Sequence, residues 1–215
     1  MKLSKAFENT RGFSSISNSA FYGVLGGAIC YGLAVTAYLA SLSLIPVLTW
    51  PILIGIVVVS FAGVFVSLST DNPIVTFIGY NMIVVPFGLM LESSIRKYAP
   101  GVVTNAALIT GLIAGIMTLS ATIYPQFFSK LGGVLFYSLL CLVFVRVLQI
   151  FVPALQHLRI IDYISAGIFS LYIGWDMYRA SQVTRTVNSA LNIAVAIYLD
   201  LINLFLSVLG DSDND

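Results

Sequence analysis

Asp176, Asp200 and Arg146 are the residues of this chain whose type and surroundings call for a chemical reason. Each lies within largely apolar sequence, and Asp200 is the clearest case, with apolar stretches at 193–199 and 201–209 on either side. A charge well inside a bilayer costs a few kcal/mol even on lenient insertion scales, so such residues face a protein interior and mark a pathway or a proton site. Two carboxyls in one dry site do not both ionise cheaply. Such a pair holds a shared proton near neutral pH and loses it as the pH rises. The deprotonated pair then repels itself or accepts a cation that favours carboxylate oxygen, such as Ca²⁺. In outline that is a pH-gated cation site with Asp176 and Asp200 as its ligands. The same residues also read as two separate carboxyls, each hydrogen-bonded within a packed bundle.

Helical spacing gathers further polar residues around them. Asn192, Ala196, Asp200, Asn203 and Ser207 follow one another at steps of four and three, along one face of a helix. Asp162, Ser165, Phe169, Tyr172, Asp176 and Arg179 do the same in the preceding segment, and Ser138, Leu142, Arg146 and Gln149 in the one before. These stripes must turn away from lipid. Tyr172, Asn192 and Asn203 are therefore expected to line a path beside the aspartates. The aspartates are 24 residues apart in adjacent helices. With a turn centred near Asn188, each lies about 12 residues from it, at a matched depth of roughly 15 Å. This requires the first of the two helices to continue through Arg179 toward Thr184. Arg146 needs a partner at its own depth. An ion pair with Asp176 or Asp200 would make it a latch on the pair; the alternative is snorkelling to the nearer membrane surface.

The elements that must hold these residues are transmembrane helices. Of the 215 residues 59% are hydrophobic and only 9% charged, with mean hydropathy +0.98, too little polar surface to cover a soluble core. The net charge of +1 supplies no field for nucleic acid. One histidine and two cysteines, Cys30 and Cys141, give no metal-type spacing, and both cysteines read as small buried hydrophobes. Long unbroken apolar runs exclude a membrane β-barrel. Seven such runs stand at about 21–45, 50–68, 74–91, 102–123, 131–151, 160–178 and 189–209. The expected organisation is an all-α, seven-helix membrane domain at 21–209, with a cytoplasmic N-terminal tail at 1–20 and an acidic C-terminal tail at 210–215. Gly23, Gly27, Gly111 and Gly115 have the spacing of helix-packing contacts. Trp50 and Trp175 fit interfacial anchors, and His157 and Arg159 fall in a loop. Lys2, Lys5, Arg11, Lys130, Arg179 and Arg185 gather on the N-terminal side, against Arg96, Lys97 and Arg159 on the other, which makes the N-terminal side cytoplasmic.

At these residues the chain resembles the Bax inhibitor family, also called the transmembrane Bax inhibitor motif family, in its prokaryotic branch. Phe169-Ser-Leu-Tyr-Ile-Gly-Trp-Asp176 is similar to the family's aromatic-rich sixth-helix segment ending in Asp. Tyr198-Leu-Asp-Leu-Ile-Asn-Leu-Phe205 resembles its seventh-helix signature, Tyr-x-Asp-x-x-Asn-x-Phe. Weaker similarity extends over the chain, through Pro86 in the third helix and the Lys130-Leu-Gly stretch before the fifth. The resemblance implies a central seventh helix, a pH-sensitive Ca²⁺ leak as the activity, and Asp176 and Asp200 as the hydrogen-bonded pH sensor. It also implies calcium ions and the lipid bilayer as partners, no organic cofactor, a monomer, and the inner membrane of a prokaryote. Family members of this type can carry a second-helix arginine that latches onto the pair. Here 50–70 holds no charged residue, so either the latch is missing or Arg146 replaces it.

Two other functions compete. Intramembrane aspartyl proteases also place two Asp on neighbouring helices, as acid and base toward water. They need Tyr-Asp, Gly-x-Gly-Asp and Pro-Ala-Leu in that order. Here Trp175 and Leu199 precede the aspartates, and Pro153-Ala-Leu155 comes before both, so no enzyme is expected. The alternative function is a regulator that binds and modulates a membrane protease, as some bacterial relatives of the family do. The tail with Phe7, Phe13 and Ile16 is its one candidate docking segment. A proton-coupled transporter using the same aspartates would leave the same pattern.

Overall fold

A computed structural model describes residues 15–42, 44, 49–152 and 158–211. Most of the expected N-terminal tail, the Pro153-Ala-Leu155 segment, His157 and residues 212–215 of the acidic tail lie outside the described residues. Regular structure among the described residues is entirely helical: α1 Asn18–Ser41, α2 Trp50–Leu68, α3 Pro73–Ile95, α4 Pro100–Ile123, the single turn α5 Pro125–Phe128, α6 Leu131–Phe151, α7 Ile160–Gln182 and α8 Val187–Asp211. The starts follow local chemistry. Ser17 accepts from the Ala20 N–H to cap α1, and Asn72 accepts from Ile74 to cap α3. Pro51, Pro73, Pro100 and Pro125 occupy first turns, where a missing N–H costs nothing.

Six of the seven long helices are long and apolar enough to cross a bilayer. The exception, α7, carries Asp162, Asp176 and Arg179, yet it packs along α8 and buries Ser165, Ser170 and Asp176. The chain is a polytopic helical membrane protein. Its connections sort into two ends. At one, the Ile16 N–H donates to Arg185 O and the Asn188 amide donates to Thr70 O, which brings together the start of α1, the α2–α3 connection and the α7–α8 connection. At the other, Leu209 of α8 packs with Ala40, Leu91, Ile95 and Val102. Here α3 runs past the apolar stretch read from the sequence and buries Glu92, ion-paired with Arg96 one turn on.

Helix α8 is the centre, as expected of the seventh long helix. It packs on α1, α3, α4 and α7, and most of its side chains are buried. Lipid tails are as apolar as leucine, so helices in a membrane associate through close packing and interhelical hydrogen bonds rather than hydrophobic burial. Both devices are present. The Tyr198 and Thr36 hydroxyls share a hydrogen bond of 2.6 Å, Tyr80 donates to Ala28 O at 2.9 Å, and the Tyr80 and Tyr198 rings meet edge to face at 5.6 Å. Gly32 lies under both rings: a Cβ there would collide with the Tyr80 hydroxyl. Between α2 and α3, a Cβ on Gly63 would sit 2.6 Å from Gly79 O, and one on Gly79 would sit 2.7 Å from Gly63 O.

The packing glycines therefore differ from those expected. A Cβ on Gly23, Gly27, Gly111 or Gly115 would meet nothing within 4 Å, so that spacing marks outward faces. Cys30 and Cys141 are likewise exposed free thiols rather than buried ones. Trp50 is exposed at the start of α2, as an interfacial anchor would be. Trp175 lies against Gly132 of α6 and under the Arg179 guanidinium, 4.8 Å from its ring, and so serves a helix contact as well.

Candidate functional site

Helix α7 continues to Gln182, as the aspartate pairing requires, and the connection occupies 183–186. Asn188, taken as the turn from the sequence, is already helical. The register of α7 on α8 is fixed by the Ser165–Ser207 hydroxyl pair at 2.7 Å and by Gly210 lying against the Asp162 carboxyl. It sets Tyr172 level with Asp200, and Asp176 one turn nearer the connection. The depths are thus offset by a turn rather than matched.

The side chains bridge that offset. Asp176 and Asp200 are neighbours across α7 and α8, and both are almost completely buried. Tyr172 is an electrostatic neighbour of both carboxyls. Asp200 Oδ2 is buried with no hydrogen-bond partner. Asp176 Oδ1 accepts from Arg179 Nη1 at 2.7 Å, an i, i+3 pair within α7 whose guanidinium also covers Trp175. One carboxyl of the pair therefore has a donor, and the other has an oxygen without one. Bare carboxylates are acceptors only, so a link between the two acids needs a proton. Among the described residues no three His, Cys, Asp or Glu side chains converge, so a cation at the pair would draw its carboxylate oxygens from these two residues.

Arg146 is elsewhere. Its Nη2 lies 2.6 Å from Asp162 Oδ1 and its Nη1 donates to Gln149 at 3.2 Å. The expected ion pair with Asp176 or Asp200 is replaced by one between the end of α6 and the start of α7, for a simple reason. Antiparallel packing of the two helices sets the last turns of α6 beside the first turns of α7. The cation beside Asp176 is Arg179, the last residue of the α7 stripe read from the sequence, which that reading gave no role toward the pair. Its three-residue spacing from Asp176 was the available signal.

The other polar residues divide between two regions. Asn192 accepts from Ser67 Oγ at 3.0 Å and so bonds α8 to α2. Asn203 donates to Leu199 O in its own helix and lines a cavity with Arg146 and Asp162. Sequence reasoning assigned no role to Tyr198, two residues before Asp200. Its hydrogen bond to Thr36 pins α8 to α1 and fixes which face of α8 meets α7.

A family model described as "Inhibitor of apoptosis-promoting Bax1" matches residues 18–210. The chain is 30% identical over 120 residues to an uncharacterized protein of Helicobacter pylori, a match covering 56% of this chain and 51% of that one. It is 32% identical over 123 residues to Protein LIFEGUARD 1 of Arabidopsis thaliana, covering 53% and 49%. The matched stretch spans about half the length of each of these relatives.

Proposed function

The chain belongs to the Bax inhibitor family, and from that premise we propose that it is a pH-sensitive cation leak, with Ca²⁺ as cargo, gated by Asp176 and Asp200. The observation that carries this reading is the buried, unpartnered Asp200 Oδ2 beside Asp176 on the neighbouring helix. One proton between the carboxyls supplies the missing donor and holds α7 to α8. Its loss leaves two negative groups facing each other in a site from which water is excluded, where repulsion is far stronger than in water. The helices then part, and carboxylate oxygen is offered to a hard cation. Arg179 limits the repulsion to one uncompensated charge and keeps Asp176 in place. Tyr172 and Asn203, one level with Asp200 and the other a turn away, are the path's polar lining on this reading, and Asn192 continues it toward the α7–α8 connection.

The test is Ca²⁺ flux into liposomes that contain only this protein, measured across a pH series for wild type, Asp176→Asn and Asp200→Asn. The expected result is flux that rises with pH in the wild type and a flattened profile in both variants. Liposomes that carry no flux at any pH reject the leak and favour a regulator acting through a partner. The proposed setting is the inner membrane of a prokaryote, with the α7–α8 connection cytoplasmic.

A further inference from the structure

A second polar region lies at the far end of the same helices. A cavity of about 440 Å³ between α6, α7 and α8 has Arg146, Asp162, Ser165, Asn203 and Ser207 among its lining residues. Asp162 and Asp176 are 14 residues apart on α7, about 21 Å of helix axis, so this is a separate site from the aspartate pair. The α8 stripe connects the two: Asn203 lies one turn beyond Asp200, and Ser207 lies one turn beyond Asn203. Ser165 and Ser207 share a buried hydrogen bond, and Ser207 also donates to Asn203 O at 2.8 Å.

A carboxylate, an amide and two hydroxyls around one cavity are hard oxygen donors, the set that suits Ca²⁺ and similar cations. The positive group against that carboxylate is the Arg146 guanidinium, which points inward from α6. Helix α6 packs chiefly on α7 and is the least buried of the apolar spans, and the Arg146 side chain is 40% exposed. The guanidinium can therefore leave Asp162 by a side-chain rotation or a shift of α6, without opening the core around α8.

The geometry points to a second cation station on the same path, centred on Asp162 and held closed by Arg146 as a tethered cation. This rests on the leak proposed above, and it adds a site and a gate at the opposite end from the aspartate pair. Withdrawal of Arg146 exposes Asp162 to a mobile cation, and its return expels that cation.

Equilibrium binding of radioactive Ca²⁺ to the full chain in nanodiscs, at one fixed pH, tests the station directly. Arg146→Gln should bind additional Ca²⁺ relative to wild type. Adding Asp162→Asn should abolish that gain, and adding Asp200→Asn should leave it in place. In liposomes, Arg146→Gln should raise flux about fivefold or more, the low end of ordinary coupling between two sites. Arg146→Lys keeps a tethered cation and should keep the station closed. No gain of binding in Arg146→Gln, or a gain that survives Asp162→Asn, overturns the proposal. If Arg146→Gln does not fold, Asp162→Asn alone decides. It removes the one carboxylate among the cavity's lining residues and should lower wild-type flux without moving its pH midpoint, whereas unchanged flux overturns the station. If wild type and variants all lack flux while the binding pattern holds, the leak falls and the station stands.

Discussion

Asp200 pairs a buried oxygen that has no donor with a neighbouring acid, and that arrangement persists only if a proton or a cation completes it. The predicted pH response follows in sign. The protonated pair is closed, rising pH removes the proton, and flux increases. Asp200→Asn or Asp176→Asn replaces an acid with an amide that carries no titrating proton, so each should flatten the flux profile whatever baseline it leaves. Wild-type pH dependence in both variants would return the aspartates to a packing role. Tyr198 gives a test of stability at the same scale. Tyr198→Phe removes a buried 2.6 Å bond between α8 and α1 and should cost about 1 kcal/mol, read as a lowered unfolding temperature in detergent. Thr36→Val should cost more, because the Tyr198 hydroxyl is then left buried without this partner, whereas a helical Thr that loses its partner can turn its hydroxyl to a backbone carbonyl of the preceding turn. The aspartates were legible in the sequence because ionisable residues in apolar runs have few explanations. The partner of Arg146 was not legible, because counting about the α6–α7 connection leads to Ser165, and only the packing of the two helices sets Asp162 beside the guanidinium.

Helices were legible as elements but not in their contacts. The seven apolar runs correspond to α1–α4 and α6–α8, with ends displaced by a few residues where polar caps or extra turns continue a helix past its apolar stretch. Glu92 shows the reason: an ion pair with Arg96 lets α3 keep a carboxylate that the apolar pattern treats as a stop. Glycine spacing was misleading because small residues at intervals of four allow close approach without saying which face has a neighbour. Gly63 and Gly79 lie in different helices, and no pattern within one segment reveals their contact. Their substitution should separate the two cases. Gly63→Ala or Gly79→Ala drives a methyl into a backbone carbonyl and is expected to destabilise by about 1–3 kcal/mol, the usual range for overpacking. Gly23→Ala and Gly111→Ala meet open space and should be neutral or slightly stabilising through helix propensity. Thermal unfolding of the four variants in one detergent checks this. No loss at Gly63 or Gly79 relative to Gly23 and Gly111 would mean that the α2–α3 contact is not made in the detergent-solubilised protein.

Across the whole molecule, the two ends of the bundle differ in basic residues, and that difference predicts an orientation. Lys130 and Arg185 lie in connections at the end where α1 begins, while Arg96, Lys97 and Arg159 lie at the end where α8 finishes. The hydrogen bonds from Ile16 to Arg185 and from Asn188 to Thr70 group the first end, so the sorting of loops now rests on contacts as well as on alternation along the chain. Short loops near the membrane are where the bias of Lys and Arg toward the cytoplasm acts. With Lys2, Lys5 and Arg11 counted from the sequence, the balance favours the first end as cytoplasmic. Cysteine accessibility tests this without truncating the chain. Cys30 and Cys141 are exposed on the outer faces and would be replaced by Ala first, at little cost. In intact cells, a membrane-impermeant maleimide should then label Lys97→Cys and leave Lys130→Cys and Gln182→Cys unlabelled until the membrane is opened. Labelling of Lys130→Cys but not Lys97→Cys would invert the molecule, placing the α7–α8 connection outside. The Asp162 end would then face the cytoplasm, and the pH acting on the aspartate pair from its nearer mouth would be that of the exterior. Labelling at both positions in intact cells would contradict the alternating arrangement of α3, α4 and α6, and with it the seven-helix crossing.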